Sequence, residues 1–528
     1  MKRSGMHLAV CARSLAVYLA LSALACSAPA AAAGADSLTR DPHQAQVVLF
    51  LSGPLKPSNN ITLTLTSVRV IAQDGASREL LSGAVVQNSL ELAGRQVLLS
   101  ERMVPENRYV MMKLAFSKAS LKRTDYAADL SLEQQEIEVP VAIVAESGKS
   151  ASVFLEWNAD ASLREGIAFL PAFRLVEKVR YPRTLLAYVV NEFSNNVYVI
   201  NRQTDTVVET ILVGKRPRDI AVSERKDRQR LYVANSFSNS ISVIDPDRNI
   251  VEQEIPVRYG REPVALAVVQ VAAGREMLFV ANYGSNTVSS FDTGSFQELQ
   301  RIDVGNGPTA VAVDPNVELL MTARFLGQDD KELIRRYRDT HVNIYVANRN
   351  SKTVSVLRIN TLTGLCDDVT KLEADWEPVA LSADPSRGKI LVVNYAANTM
   401  SAINIPQVIR GNAAAAVTIV NNVGPGGTDV VADPGFDRLY FLRESGEIAV
   451  MRIFWDQVSF AKTVSPSMLG TVQTGKQPVS LVFDPDGRKI YVVNKGSETV
   501  TVVDRTTRTE EKVIPAGKGP SGIGVFQE

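Results

Sequence analysis

A chain of 528 residues with 57 Lys and Arg against 57 Asp and Glu carries no formal net charge, so it lacks the cationic field that bulk nucleic-acid binding needs. Of its three cysteines only Cys366 lies behind the apolar amino-terminal leader, which excludes an internal disulfide in the mature chain. Stability must therefore come from packing.

The chain opens on Met1-Lys-Arg, continues with an apolar run through Leu15–Ala25, and then turns to small residues. That is the pattern of a secretory signal, too short to span a membrane as a helix, so export to the periplasm, outer membrane or cell surface is expected. Ser22-Ala-Leu-Ala-Cys26 looks like a lipobox with Ala where Leu is usual, which makes Cys26 the expected lipid-attachment residue. Soluble cleavage at Ala25 or in the alanine run ending at Ala35 is the alternative. Residues 1–35 are thus read as signal and spacer.

Residues 43–180 form the next unit. Asn60–Ile71, Arg108–Phe116 and Ile137–Ile143 each alternate with period two and are separated by polar loops, which predicts a small antiparallel β-sandwich. The segments Thr66–Val70, Asn107–Leu114, Phe154–Ser162 and Phe169–Phe173 resemble a bacterial lipoprotein domain family of unknown function, although Glu156-Trp157 departs from the acidic-aromatic order usual there. The resemblance implies no activity. Tyr181-Pro182-Arg183 reads as the junction to the second domain.

From Leu185 onward one unit recurs. Tyr188-Val-Val-Asn191 returns as Tyr232–Asn235, Phe279–Asn282, Tyr345–Asn348, Leu391–Asn394, a degraded Tyr440-Phe-Leu-Arg443, and Tyr491–Asn494, at spacings of 44, 47, 66, 46, 49 and 51 residues. Each copy sits among short β-branched strands and Gly/Pro turns, as in Gln300–Asp314, and a period of roughly 40 to 50 with four strands per unit signals a propeller blade. Period-two alternation excludes a helical solenoid. These residues resemble the YVTN β-propeller repeat family over Leu185–Glu528.

The chain enters the ring on a second strand and ends on Gly519–Phe526, which reads as the missing inner strand. The fold class expected is all-β: an amino-terminal antiparallel β-sandwich followed by a seven-bladed β-propeller, 185–528, closed by the carboxy-terminal strand. Asn316–Thr340 interrupts the fourth blade, and long turns around Ile405–Ala415 and Asp456–Leu469 interrupt the fifth and sixth. All three fall on one side of the ring. Asp329–Asp339 is expected to be a short helix, acidic at its start and basic at its end.

No constellation for catalysis or metal binding emerges. His43 and His341 lack neighbouring ligands, Asp484-Pro-Asp-Gly487 reads as a turn, and Gly305-Asn-Gly307 has no helix behind it. Acidic neighbours of Cys366 should raise its thiol pKa, which argues against a nucleophile. Cofactors, metals and catalytic residues are therefore not expected.

The face opposite the insertions is the expected ligand platform. Its first loop set carries Phe193, Phe237, Tyr283, Arg349, Tyr395 and Lys495; the second carries Arg216, Arg218, Arg261, Trp376, Lys476 and Lys518 near the axial mouth. Aromatics interleaved with cations suit an anionic or stacking ligand. The leading reading is a non-catalytic envelope protein that presents the propeller to a protein, glycan or surface polymer, anchored to the membrane if Cys26 is acylated. The alternative is a lactonase-like hydrolase at the axial mouth, with Glu262 and Glu377, each preceding a proline, as its carboxylates. A third is single-strand nucleic-acid binding, which steep salt dependence would reveal.

Overall fold

The computed structural model describes residues 43–526 except 125, 224, 226, 227, 272, 273, 434, 436 and 456–462. The expected signal, Cys26 and part of the Asp456–Leu469 turn lie outside the described residues.

Two sheets make the amino-terminal sandwich. One places Phe173–Leu175, Ser150–Trp157, Gln44–Ser52 and Gln96–Pro105 side by side; the other is built on Asn60–Ala72 and Asn107–Lys122, with Ser77–Asn88 and Glu136–Ala145 paired to them. Most pairs are antiparallel, but Gln44–Ser52 runs parallel to Ser150–Trp157. Pro140 falls opposite Met111 at a register irregularity, where a missing N–H interrupts the ladder least. In the core Trp157 stacks on Phe173 at 6.3 Å and donates its indole N–H to Ser162 at 3.2 Å, so its one polar atom is satisfied.

Seven antiparallel blades come next, each with four strands from the repeat. In blade 1 the last strand of the chain, Pro520–Val525, pairs with Leu186–Asn191 and supplies the inner position, so the ring closes as the repeat order predicts. Blade 5 gains a fifth strand, Thr463–Val464, parallel to Val417–Val420. It comes from the turn inserted in blade 6 and ties the two blades together at the rim.

The repeated tetrapeptide has a physical cause. Its aromatic is buried between blades and its Asn pins the hairpin: Asn235 Nδ2 donates to Ser240 and Ser242 at 3.1 and 2.9 Å, and Asn394 does the same to Thr399 and Ser401. Hydroxyls five and seven residues after the Asn recur in blades 2, 3, 4, 5 and 7. The preceding loop must pass close to this Asn, and a Cβ at Gly214 would come within 2.6 Å of Asn235, so glycine stands there. In blade 6, where Arg443 replaces Asn, the guanidinium instead meets Glu447 at 2.5 Å and the Val423 carbonyl at 2.7 Å.

The insertions share a face and touch. Gln328–Arg338 is helical, one residue ahead of the expected span, and Asp330 pairs at 2.5 Å with Arg410, which caps the end of the Ile405–Ile409 helix. Leu320, Ile334, Ile405 and Ala416 close a small core beneath them.

The sandwich lies on the ring. Gln44–Ser52 is buried almost throughout because its two faces have different partners: Ala45, Val47, Leu49 and Leu51 enter the sandwich core, while Val48 and Phe50 pack with Ala187, Val189 and Tyr198 of blade 1. Phe50 meets the Tyr198 ring edge-on at 5.5 Å. Ser152 joins Thr210 at 2.8 Å, and Gln96 bonds both backbone groups of Val207.

Candidate functional site

The loops after each second strand and those leading into each inner strand surround one mouth of the axial channel, which opens into a cavity of about 980 Å³. Its wall repeats with the blades. In blades 2 to 7 the residue after the Asn, or after Arg443 in blade 6, faces inward in turn: Ser236, Tyr283, Arg349, Tyr395, Glu444 and Lys495 all line it. Deeper, the inner strands contribute Arg218, Val264, Thr309, Val379, Thr428, Val479 and Ser521, with Asp219 and Asp429 beside two of them.

Glu192, the blade 1 counterpart of Tyr283, organises the cationic side. Its carboxylate is 1% exposed and accepts from Arg216 at 2.8 Å and Lys495 at 2.6 Å, with Arg218 at 3.2 Å. Burial works against its charge, but the Lys495 hydrogen bond, the Arg218 charge and the Arg216 hydrogen bond outweigh it and hold the pKa below the usual value. Three cations on one carboxylate leave a local excess of positive charge. The Nε of Arg218 has no hydrogen-bond partner.

Across the mouth the charges are closer to balance. Arg349 meets Glu377 at 2.8 Å, and the Tyr395 hydroxyl donates to Glu444 at 2.6 Å. Asp219 and Asp429 sit at equivalent places on blades 2 and 6, two residues into the inner strand, where a bulge frees backbone N–H groups. Asp219 accepts from Ile220 and Leu266 at 2.8 Å, and Asp429 from Val430 and Leu481 at 2.8 and 3.0 Å. Burial still pushes them up to about 6 and about 7, and the Asp219 charge adds to the elevation at Asp429.

One backbone feature sets this rim apart. The residue before each inner strand is left-handed: Gly307, Gly426 and Gly519 occupy three of the seven places, but Arg216, Glu262, Glu377 and Gln477 occupy the others at φ of 52°, 53°, 53° and 48°. An Asn side chain from the preceding blade caps the amide of Arg216, Glu262 and Gly307 at 2.8 Å. Left-handed geometry costs a non-glycine residue about 1–2 kcal/mol, so three long polar side chains, Arg216, Glu262 and Gln477, reach the cavity against a backbone penalty.

Among the expected ligand residues, Arg216, Arg218, Tyr283 and Tyr395 line the cavity together. Phe193 and Phe237 are each one residue past the position equivalent to Tyr283, held by the buried Glu192 and by Ser236, which lines the wall; both rings are exposed, and Phe193 lies 5.3 Å from the Lys495 ammonium. Trp376 is exposed at the rim beneath the Lys352 ammonium. Arg261, Lys476 and Lys518 use their carbonyls to receive Gly284, Gly496 and Phe193 amides, and their side chains are not part of the wall. Of the two carboxylates considered for hydrolysis, Glu262 lines the cavity while Glu377 is engaged by Arg349. Asp219, Asp429, Glu192 and Glu444 escaped the sequence reading. Cys366 is half-buried, and burial ahead of its Asp368 and Asp367 neighbours raises its thiol pKa.

No family model matches the chain, and no curated protein matches it. Among solved structures, a Desulfotomaculum acetoxidans protein of unknown function is 12% identical, with TM-score 0.50 over 65% of this chain and 99% of its own. A Bacteroides fragilis protein described as a candidate 6-phosphogluconolactonase is 13% identical, with TM-score 0.46 over 65% and 98%. Hydrazine synthase of Kuenenia stuttgartiensis is 20% identical, with TM-score 0.44 over 61% and 93%. The first likeness concerns the fold alone, and the other two carry no argument about this chain.

Proposed function

We propose that this protein is a non-catalytic binding propeller of the cell envelope whose axial mouth takes the anionic group of a glycan. One observation carries the reading: Arg216, Arg218 and Lys495 converge beside the cavity on a single carboxylate, Glu192, a local cluster of positive charge with an unused Arg218 donor. Hydroxyl-bearing Ser236, Tyr283, Thr309, Tyr395, Thr428 and Ser521 around apolar Val264, Val379 and Val479 suit a hydroxylated ring better than a bare ion. The envelope location rests on the amino-terminal signal pattern, with Cys26 as lipid anchor, and the repeat and sandwich resemblances to the YVTN and lipoprotein families agree with it. Glucuronate titrated calorimetrically into the secreted form should bind with salt-dependent affinity, and Arg218→Ala should weaken it at least about tenfold, as loss of a charge-assisted contact does. Equal affinity of wild type and variant would overturn the reading.

A second reading, hydrolysis at the same mouth, is favoured by one feature. Asp219 and Asp429 line the cavity with pKa values raised to about 6 and about 7, the range in which a carboxyl can serve as acid or base near neutrality. Turnover of a sugar lactone that disappears in Asp429→Asn would replace binding with catalysis.

A further inference from the structure

The hairpin that carries Glu192 is built unlike its counterparts. In blades 2, 3, 4, 5 and 7 the Asn of the repeat donates to Ser or Thr five and seven residues on, and the network closes within the blade. In blade 1 those two positions are Asn196 and Tyr198. Asn191 still donates to the first of them, Asn196 Oδ1, at 3.0 Å, but both side chains then reach out of the ring to the sandwich.

Their target is Glu101, on the strand Gln96–Pro105. Its carboxylate accepts from Asn196 Nδ2 at 2.5 Å, from the Tyr198 hydroxyl at 3.1 Å and from the Ser194 hydroxyl. Gln46 completes the grip: its amide donates to the Ser194 carbonyl at 3.0 Å, and its carbonyl accepts from Asn196 at 2.8 Å. Between these anchors the turn runs Glu192-Phe193-Ser194-Asn195. Asn195 caps the strained amide of Arg216 at 2.8 Å, Ser194 accepts from the Lys518 amide at 2.8 Å, and Glu192 holds the three cations of the mouth.

We infer that the sandwich sets the geometry of the axial mouth, with Glu101 and Gln46 as positioning residues that act through the 192–196 turn on Glu192, Arg216 and Arg218. The inference rests on the reading of the mouth as a binding site and adds how that site is controlled. A carboxylate that takes three neutral donors from one hairpin, Ser194, Asn196 and Tyr198, fixes its turn far more tightly than the intrablade hydroxyls do elsewhere. Any load on the sandwich, from the membrane anchor or from a partner, is thereby transmitted to the cationic side of the mouth and not to Arg349–Glu377 across it.

The test compares amide hydrogen exchange in the full secreted chain for wild type, Glu101→Ala and Ser152→Ala. Ser152 joins the same interface through Thr210 but does not touch the turn, so it controls for loosened docking. Exchange across 192–196 and 516–519 is expected to speed at least tenfold in Glu101→Ala and to stay at wild-type rates in Ser152→Ala. Ser194→Ala deletes only the hydroxyl shared by Glu101 and Lys518, keeps the sandwich intact, and should show the same local acceleration. Unchanged exchange in Glu101→Ala and Ser194→Ala, or equal acceleration in Ser152→Ala, overturns the inference. Glucuronate affinity in the same proteins separates the two levels: a wild type that does not bind defeats the anionic-glycan reading, while the exchange comparison still decides whether the sandwich positions the mouth.

Discussion

The two faces of the ring are both rich in charge, yet they use it differently. On the insertion face Arg202 of blade 1 meets Asp484 of blade 7, Lys489 meets Asp205 at 2.6 Å, and Arg505 meets Asp433 at 2.7 Å, each pair joining neighbouring blades. On the mouth face three cations share Glu192, and Glu262 has no ion-pair partner among the described residues. Closed pairs across blades are mortar. Unbalanced charge on a strained rim, facing a cavity, is what a ligand completes.

The sharpest way to break that comparison is to remove one partner on each face. Arg202 and Asp484 are 3% and 5% exposed in their side chains, so Asp484→Ala leaves a buried cation with only the more distant Asp486 carboxylate, at 3.7 Å, and is expected to cost about 3 kcal/mol in urea unfolding. Arg218, more than a third exposed, should lose little stability when truncated and should change ligand binding instead. If Arg218→Ala unfolds as readily as Asp484→Ala, the mouth charges are structural too and the distinction between the faces fails.

A smaller effect is expected from pH, and its sign distinguishes groups within the mouth. Asp219 and Asp429 have folded pKa values above their unfolded value near 3.9, so the folded state holds the proton more tightly. As pH rises from about 4 the unfolded chain ionises first, and stability falls until both groups are ionised above about 7. Glu192 runs the other way: its folded pKa is depressed, so its contribution is present above the unfolded value and is lost as pH falls through the folded one. Unfolding free energy should therefore decline by about 4 kcal/mol from pH 5 to pH 8, and Asp429→Asn should flatten the upper part of the decline. A wild-type profile without slope over that window would mean that both carboxyls are solvated like surface groups.

Much of this architecture is legible in the sequence. Six of the seven copies align on their own Asn and the remaining one on Arg443, and the missing first inner strand and surplus last one explain each other. The site is only half legible. Arg216, Arg218, Tyr283 and Tyr395 reach the cavity, but the conspicuous Phe193 and Phe237 draw attention from Glu192 and Ser236, one residue earlier and in register with Tyr283. Asp219 and Asp429 stand out only when the inner strands are aligned, where Ala265, Ala310, Ala380, Ser480 and Gly522 occupy the same place. The sandwich–ring contact left a trace as well: Ala45 to Leu51 is apolar on both faces but for Gln46, and such a strand must be covered twice. Its pattern does not name the second partner, because blade 1 meets it through Asn196 and Tyr198, which read as ordinary strand residues.

The smallest predicted effect is the one most specific to the mouth. Glu262 pays the left-handed penalty with its amide capped by Asn239, and glycine holds the equivalent place in blades 1, 4 and 6. Glu262→Gly keeps the cap and removes the Cβ clash, and it should raise stability by about 1 kcal/mol even after the added unfolded-state entropy of glycine. The same change deletes a carboxylate from the cavity wall, so affinity for glucuronate should shift while the fold becomes firmer. Stability gained with binding altered would mark the residue as retained for its side chain, the pattern expected where strain serves a site. Stability lost would show that Glu262 supports the rim by contacts of its own, and the strained positions would then belong with the mortar of the opposite face.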